Sequence, residues 1–572
     1  MNKRWQVHLP DPAAREALAE ALGIHPVTAQ LLLNRRVSSV AEARSFLDPD
    51  FSQSPDPFAM KQMDKAVARL VKAFRNRERV LVWGDYDVDG VTGAAVLSRA
   101  LSALGFDILQ HIPHRITEGY GLNRTALAAA KRSHVKVIIS ADCGISAHGA
   151  VDYLQKEGMD LILTDHHEPK EDLPKAHAIL NPLQEGCLYP FKFLSGVGVA
   201  FKLMQGLVSS AFPGKGPLLE NLLDLVAIGT IADIVPMVGE NRILVHQGLR
   251  ALAQTKNPGL KALLSQGKLR KGVLSPRDVT LVINPRINVS GRLGSAGTAL
   301  RLLVTEDSEE AIRLAKALES GNKSRRTMEV QMVREALAKL SREVNFKEQR
   351  AIILHDEKWH PGIIGIVASR IMNQFYRPTV VIGFGSGIGR GSARSIEGFH
   401  LFEALERCQK YLDEFGGHRL ACGFTLRREN LLPFMESLQR IAREELSPED
   451  LIPLIEIDME LSLQELAPSF LNELARLEPF GAGNGRPIFL SRDVEVKVTG
   501  LSRGGLLLTL RQDKGDLFHA TCPDSLREGV TSLPQGRADC VYRVSWGERG
   551  GVSLLKLGLL DVVPSRLKNG SG

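Results

Sequence analysis

The apolar positions change their spacing along the chain. In residues 56–300, short runs such as Arg79–Trp83 (RVLVW), Val135–Ile139 (VKVII) and Leu161–Thr164 (LILT) each follow an amphipathic or Ala-rich stretch of helical spacing. Strands apolar on both sides are covered on both sides, so their alternation with helices predicts a parallel α/β sheet. Residues 347–450 begin a second α/β unit, in which AIILH (351–355) and TVVIGFG (379–385) bracket a helical stretch from Ile363 to Phe375. Between the two, residues 301–346 carry a long charged pattern that reads as one or two helices with i,i+4 pairs, either a rigid connector or an ordinary surface helix. From 451 to 572 the period becomes two. VEVKVTGL, LLLTLR, VYRVSW and SLLKLGLL, split by Gly-rich turns at Arg503–Gly505 and Gly547–Gly551, predict a small all-β barrel or sandwich. Residues 1–55 read as a helical leader, with helical spacing in Ala14–Leu22 and Val27–Leu33, before the Pro/Ser-rich Ser52–Phe58.

Composition narrows the class. The 572 residues predict about three or four domains. Hydrophobic residues at 44% and charged residues at 24% exclude a largely disordered chain. A net charge of +7 weakly favours an anionic partner. No run of 18 apolar residues occurs and Met1–Pro10 lacks an apolar signal core, so neither a membrane span nor secretion is expected. Six cysteines with no CxxC pair argue against a disulfide framework or a cysteine zinc site, and a cytoplasmic setting is expected.

The informative polar positions stand where the apolar strands end. GDYDVDGVTG (84–93) places Asp85, Asp87 and Asp89 after the first strand. Asp87 and Asp89, at i and i+2, share a side if the segment stays extended. Carboxylates this close need a cation or full solvation, and an Asp-rich turn explains one such site equally well. An EF-hand is excluded, because Ala95 or Val96 stands where its bidentate Glu would be. The pattern repeats: Asp142 follows the second strand, and Asp165, His166 and His167 follow the third. The carboxyl ends of parallel strands converge on one crevice, so these acids and imidazoles are expected along one edge. Asp233 ends NLLDLVAIGTIADIVPM, where a helix-terminal turn would also account for it. Such a set makes a hard, oxygen-rich site suited to Mn²⁺ or Mg²⁺ rather than structural zinc, and a bridging carboxylate suggests two ions.

The series D-x-D, DCG, DHH and the Asp of GTIAD resembles the DHH phosphoesterases. WHPGIIGIVASRI (359–371), GRGSARSIEGFHL (389–401) and FGGHRLACGFTL (415–426) resemble the DHH-associated domain of the RecJ single-strand exonucleases, and the all-β tail resembles their OB-fold. The resemblance implies an α/β architecture: a leader (1–55), a parallel-sheet DHH domain (56–300), a connecting helix (301–346), a second α/β DHH-associated domain (347–450) and a C-terminal OB-fold (451–572). It implies a single-strand-specific 5′→3′ exodeoxyribonuclease of DNA repair and recombination. Two ions, Mn²⁺ or Mg²⁺, would lie between the α/β domains. The strand would thread a narrow basic channel that excludes duplex, and 5′-mononucleotides would be released. By the same resemblance Asp87 and Asp89 are the paired ligands, Asp142 bridges, and His166 and Asp233 hold the second ion. Asp165 would orient the His166 imidazole. His167 would face the scissile phosphate as stabiliser or proton donor, and Asp85 stands close without an assigned bond. Many members carry a metal-binding His four residues before Asp87, where this chain has Trp83. That implies a first ion held more weakly, or with an extra water or Asp85.

FGGHRLACGF by itself is a Gly-rich turn whose N–H groups and imidazole can approach a phosphate. The resemblance makes Gly416, Gly417 and His418 phosphate ligands, and Ser392, Arg394 and Arg115 a pocket for a 5′-terminal phosphate. It places Tyr120 against a base and Arg286 and Arg292 on the backbone. Phe489, Phe518, Tyr542 and Trp546 are either stacking residues of the tail or its core. A single-strand-binding protein and a helicase are the implied protein partners. GFGSGIGRG contains no GxGxxG and the chain no GxxxxGK[ST], so no nucleotide cofactor is expected. Two rivals remain. One is a DHH phosphoesterase of short oligoribonucleotides, cyclic dinucleotides or pyrophosphate, disfavoured by length. The other is an inactive single-strand-binding scaffold, disfavoured by the intact acids.

Overall fold

The computed structural model describes residues 3–565, except 116, 117, 120, 171, 268, 270, 271, 273, 295, 386, 503, 550 and 551. They form two units. One comprises Trp5–Asn284, Leu303–Glu306 and the chain from Ile455 onward; the other comprises Pro285–Leu302 and Asp307–Leu454, with the extreme N-terminus up to Arg4.

The first unit opens with α1 (Pro12–Leu22), α2 (Pro26–Asn34) and α3 (Val40–Leu47), capped by the side chains of Asp11, His25 and Ser39. Then come α4 (Met63–Arg75), β1 (Arg79–Gly84), α5 (Val88–Ala103), β2 (Ile108–His111), α6 (Arg124–Arg132), β3 (Val135–Ala141), α7 (His148–Lys156), β4 (Asp160–Thr164) and β5 (Ala178–Leu180). The strands form one parallel sheet in the order β2-β1-β3-β4-β5. β1 is buried from Val80 to Gly84 and β3 at every position but Lys136, which explains their continuous apolar runs. α8 (Gly196–Ala211), α9 (Leu223–Asp233) and α10 (Gly239–Ala253) complete the layer. α9 is buried from Leu223 to Ile231 because α5, α8 and α10 pack around it. This leaves it no polar face.

The second unit is built on α11 (Ser308–Glu343), a single helix of 36 residues, about 54 Å long. Its buried positions, from Ala311 to Leu340, recur every three or four residues, and Met332, Ala336 and Leu340 pack in one cluster with β6 (Ile352–Asp356) and α12 (Ile364–Phe375). The helix is therefore an integral part of this unit. Midway along its buried stripe, Arg325 pairs with Glu329 (2.5 Å), which also takes Arg370 (2.6 Å). β7 (Thr379–Gly385), β8 (Ile388–Arg394), β9 (Glu414–His418) and β10 (Ala421–Arg427) complete a sheet in the order β9-β10-β8-β7-β6, with α13 (Leu431–Glu445) packed on its core. The β6–β7 pair is parallel and the other pairs are antiparallel.

The chain returns to the first unit through α14 (Pro468–Arg476), followed by β11 (Ile488–Ser502), β12 (Gly505–Arg511), β13 (Phe518–Pro523), β14 (Arg537–Arg549) and β15 (Val552–Pro564). The order β11-β12-β13-β15-β14 closes through β11–β14 pairing, giving a barrel. The leader shares its core: Leu18, Leu31, Leu32 and Phe46 pack in one cluster with Phe489, Leu508 and Tyr542. Phe489 and Tyr542, considered above as stacking residues, are fully buried there, and Tyr542 Oη lies 2.8 Å from Ser491 Oγ. Phe518 packs against the same core, and the Trp546 side chain lies outside the described residues. Arg242 of α10 ties these parts together. It donates to Phe46 O (2.9 Å), Leu477 O (2.9 Å) and Arg476 O (2.8 Å). Among the described residues no helix is long and apolar enough to cross a membrane.

Candidate metal centre

Three strands end in step. The residue after each extends the ladder by one bond: Asp85 N to Ala141 O (3.2 Å), Asp142 N to Thr164 O (2.9 Å) and Asp165 N to Leu180 O (3.0 Å). Three carboxylates are thus set along one sheet edge by backbone pairing alone. Past this edge the chain turns. Asp87 does not continue an extended run, as i,i+2 sharing of a side would require. It caps α5 by accepting from Gly90 N (3.0 Å), so Asp87 and Asp89 straddle a helix start. Gly90 has to lack a side chain, since a Cβ would lie 2.5 Å from Asp85 N. Asp142 adopts φ 64, and Asp233 is the last residue of α9.

The side chains converge on His166. Its Nε2 lies 3.2 Å from Asp142 Oδ1, 3.4 Å from Asp233 Oδ2 and 4.0 Å from Asp89 Oδ2. Asp85, Asp87 and Asp142 present a second set of oxygens within 4.8 Å of one another, so Asp142 belongs to both groups. Asp89 is gripped by Gly196 N (2.6 Å) and Val197 N (2.9 Å), the first N–H groups of α8, where the helix dipole favours a negative charge. Gly196 also makes room for Asp142, whose Oδ1 would be 2.5 Å from a Cβ there.

Electrostatics call for a cation. Burial, then Asp87, pushes Asp85 up to about 8. Burial and neighbouring carboxylates hold Asp89 and Asp142 far above the usual carboxylate range. Asp85 Oδ1 and His166 Nε2 are buried and make no hydrogen bond. Carboxylate oxygens with one imidazole nitrogen, kept from ionising only by their own repulsion and burial, fit hard divalent ions. Trp83, where family members often have a ligand, is fully buried, its ring 4.3 Å from that of His111. It belongs to the core beside the sheet, and Asp85 joins the first acidic group instead.

Asp165 departs from its expected part. It is fully buried, and its Oδ1 lies 2.7 Å from Nδ1 of His167, not from the ring of His166. The reason is geometric: the His166 ring is turned with Nε2 toward the acids. Asp165 gives that residue only a backbone contact, accepting from His166 N (2.8 Å), while its Oδ2 accepts from Ile145 N (2.9 Å). Burial opposes a charge on His167, but the hydrogen bond and charge of Asp165 outweigh it and push the imidazole up to about 9. Burial moves His166 the other way, toward the neutral ring that binds metals.

Of the expected binding residues, Arg115 is exposed, with its guanidinium 5.0 Å from the centre of the Tyr86 ring, and its charge acts on Asp85. Tyr120 lies outside the described residues. In the second unit, sheet register joins two separate motifs. Arg394, Ala421 and His418 form one cross-strand row, and Ser392, Gly423 and Gly416 another. Small Ala421 and Gly423 between them leave an open floor. Gly365, at the start of α12, allows Ser392 and Arg394 to approach, since a Cβ there would lie 2.9 Å from Ser392 Oγ. Gly416, Gly417 and His418 are exposed. Arg286 is otherwise employed: it is buried and paired with Glu319 of α11 (2.8 Å). Arg292 Nη1 donates to Gly362 O (3.2 Å). Both arginines make contacts within their own unit. Sequence reading missed Tyr86, Gly365 and the α8 N-terminus. Ser195 before Gly196 is a capping signal that pointed to the last of these.

Three family models match the chain: the DHH family N-terminal domain over residues 79–230, the DHHA1 domain over 348–444 and the RecJ OB domain over 457–560. The chain is 39% identical over 554 residues to the single-stranded-DNA-specific exonuclease RecJ of Bacillus subtilis (strain 168), covering 95% of this chain and 69% of that protein. It is 36% identical over 509 residues to the RecJ of Thermus thermophilus, covering 85% and 69%. The crystal structure of the Thermus thermophilus RecJ in complex with Mn²⁺ superposes with a TM-score of 0.85 at 30% identity, over 98% of this chain and 80% of that one. The Mg²⁺ complex gives 0.79 at 29%, over 98% and 79%.

Proposed function

Because the chain belongs to the RecJ family of single-stranded-DNA-specific exonucleases, we propose that it degrades single-stranded DNA from the 5′ end, in repair and recombination, by metal-dependent phosphodiester hydrolysis that releases 5′-mononucleotides. The observation that carries this reading is the buried His166 Nε2 facing Asp142, Asp233 and Asp89 at 3.2, 3.4 and 4.0 Å. Asp85, Asp87 and Asp142 would hold one Mn²⁺ or Mg²⁺ ion, and Asp89, Asp142, His166 and Asp233 the other. Bound there, such a pair lowers the pKa of the attacking water and offsets the charge gathering on the phosphate.

The chain's own residues supply the rest. Asp165 keeps His167 protonated and aimed, so the imidazolium stabilises the phosphoryl oxygens or gives its proton to the departing O3′. Ser392 and Arg394 would take the 5′-terminal phosphate at the start of α12, with Gly416, Gly417 and His418 on neighbouring backbone phosphates. Arg115, its guanidinium 5.0 Å from the centre of the Tyr86 ring, is proposed as a bidentate phosphate ligand. A single-strand-binding protein and a helicase are the proposed partners, since both present unpaired strands. A cytoplasmic setting suits the six free cysteines.

The test is degradation of 3′-labelled single-stranded DNA in Mn²⁺, in Mg²⁺ and in chelator, with a blunt duplex and an Asp89→Ala variant alongside. Metal-dependent shortening from the 5′ end, absent with duplex and variant, is expected. Binding without shortening in either metal would leave only a scaffold.

A further inference from the structure

The chain leaves the metal centre through a strained and exposed apolar residue. Ile234 follows Asp233 directly and sits at φ 62, ψ 24. For a β-branched side chain the left-handed region is strained, and Ile234 recovers little by burial, being 73% exposed. Gly or Asn would remove that cost. The loop before α8 exposes further apolar side chains without such strain: Leu188 is 84% exposed, and Phe193, its ring edge-on to Phe191 at 5.9 Å, is 54% exposed. One amide holds the two loops together, as the buried Asn241 Nδ2 donates to Phe193 O (2.5 Å) and Pro236 O (3.0 Å). Both loops are fixed to the centre. Ile234 adjoins a ligand, and the loop before α8 is anchored at its start by Asn181 Nδ2, which donates to His167 O (2.8 Å). Apolar side chains are thus kept in water, one of them at a conformational cost, beside a site whose other groups are polar and anchored.

We infer that Ile234 and Phe193 pack against the base of the nucleotide next to the metal centre and are specificity determinants for unpaired strands. The inference rests on the nuclease reading above. An aliphatic chain and a phenyl ring cannot recognise a phosphate. They can recognise the apolar face of a base, which is available only when the base is unstacked and unpaired. Phosphate contacts carry no such discrimination, because duplex and single strand both offer them.

The test uses the full chain in Mn²⁺ and two 3′-labelled oligonucleotides, one ordinary and one whose first five nucleotides are abasic. Wild type is compared with Ile234→Gly, Phe193→Ala and, as an exposed apolar control in the second unit, Leu432→Ala. On the ordinary strand, Ile234→Gly and Phe193→Ala should each raise KM about fivefold or more, well beyond any change in kcat. On the abasic strand both should fall within about twofold of wild type, because the partner surface is gone. Ile234→Gly should melt at or above the wild-type temperature, since strain is relieved. KM unchanged on the ordinary strand, as a protein-docking rim would give, overturns the inference. So does an equal rise on the abasic strand, or a lower melting temperature for Ile234→Gly. An inactive wild type would instead overturn the nuclease reading, whereas an active one with unmoved KM removes this inference alone.

Discussion

One carboxylate and burial drive the two histidines of the DHH motif in opposite directions. Asp165 accepts from the ring of His167 and only from the backbone of His166. Asp165 thereby pushes the His167 imidazole up, while burial pulls that of His166 down and leaves its Nε2 facing the acids. Asp165→Asn keeps the size and the backbone contacts but removes the charge that holds the His167 proton. Its kcat should fall about 100-fold or more, with the Mn²⁺ requirement nearly unchanged, as measured by single-turnover degradation across a metal titration. An equal loss of metal affinity would mean that Asp165 serves His166 after all.

Elements carry the same logic through their ends and stripes. α8 begins where its first N–H groups grip Asp89 and where Gly196 clears Asp142, so one helix start sets two acids. Gly196→Ala places a Cβ 2.5 Å from Asp142 Oδ1 and should raise the Mn²⁺ concentration for half-maximal activity about 10- to 100-fold, read from metal titrations. A different device holds α11. Its buried stripe is interrupted by Asn322, Arg325 and Glu329, and Glu329 serves both Arg325 and Arg370. Glu329→Ala leaves Arg325 buried without its carboxylate and should cost about 3 kcal/mol in urea unfolding. A loss under about 1 kcal/mol would show that the helix is held by its apolar contacts alone.

At the scale of the molecule, α10 joins chain segments far apart in sequence, from the leader to the root of the barrel. Burial pulls Arg242 down to about 9, yet its backbone carbonyl partners offset much of that cost. One turn further on, burial and then Arg250 and Arg242 depress His246 from 6.5 to about 4. The unfolded chain therefore takes up this proton first as the pH falls. The stabilisation from a neutral His246 is complete above about pH 6.5 and drains away toward pH 4. In urea unfolding at about pH 7.0, 5.5 and 4.5, wild type should lose more stability than His246→Gln across that window, and equal losses would show that the imidazole titrates normally. The division between sequence and fold is clearest at this scale. RVLVW, VKVII and LILT determined a parallel sheet by themselves, because a strand apolar on both sides has only one kind of environment. Acids just past those strands determined a shared acidic edge, because parallel strands all end the same way. Tertiary structure alone decided that Asp85 joins the first acidic group while Trp83 turns into the core. It also paired Arg286 with Glu319, placed Phe489 and Tyr542 at the centre of the barrel, and gave the leader helices the same core as that barrel. Each of those outcomes depends on neighbours far away in the chain, and local spacing carries no record of them.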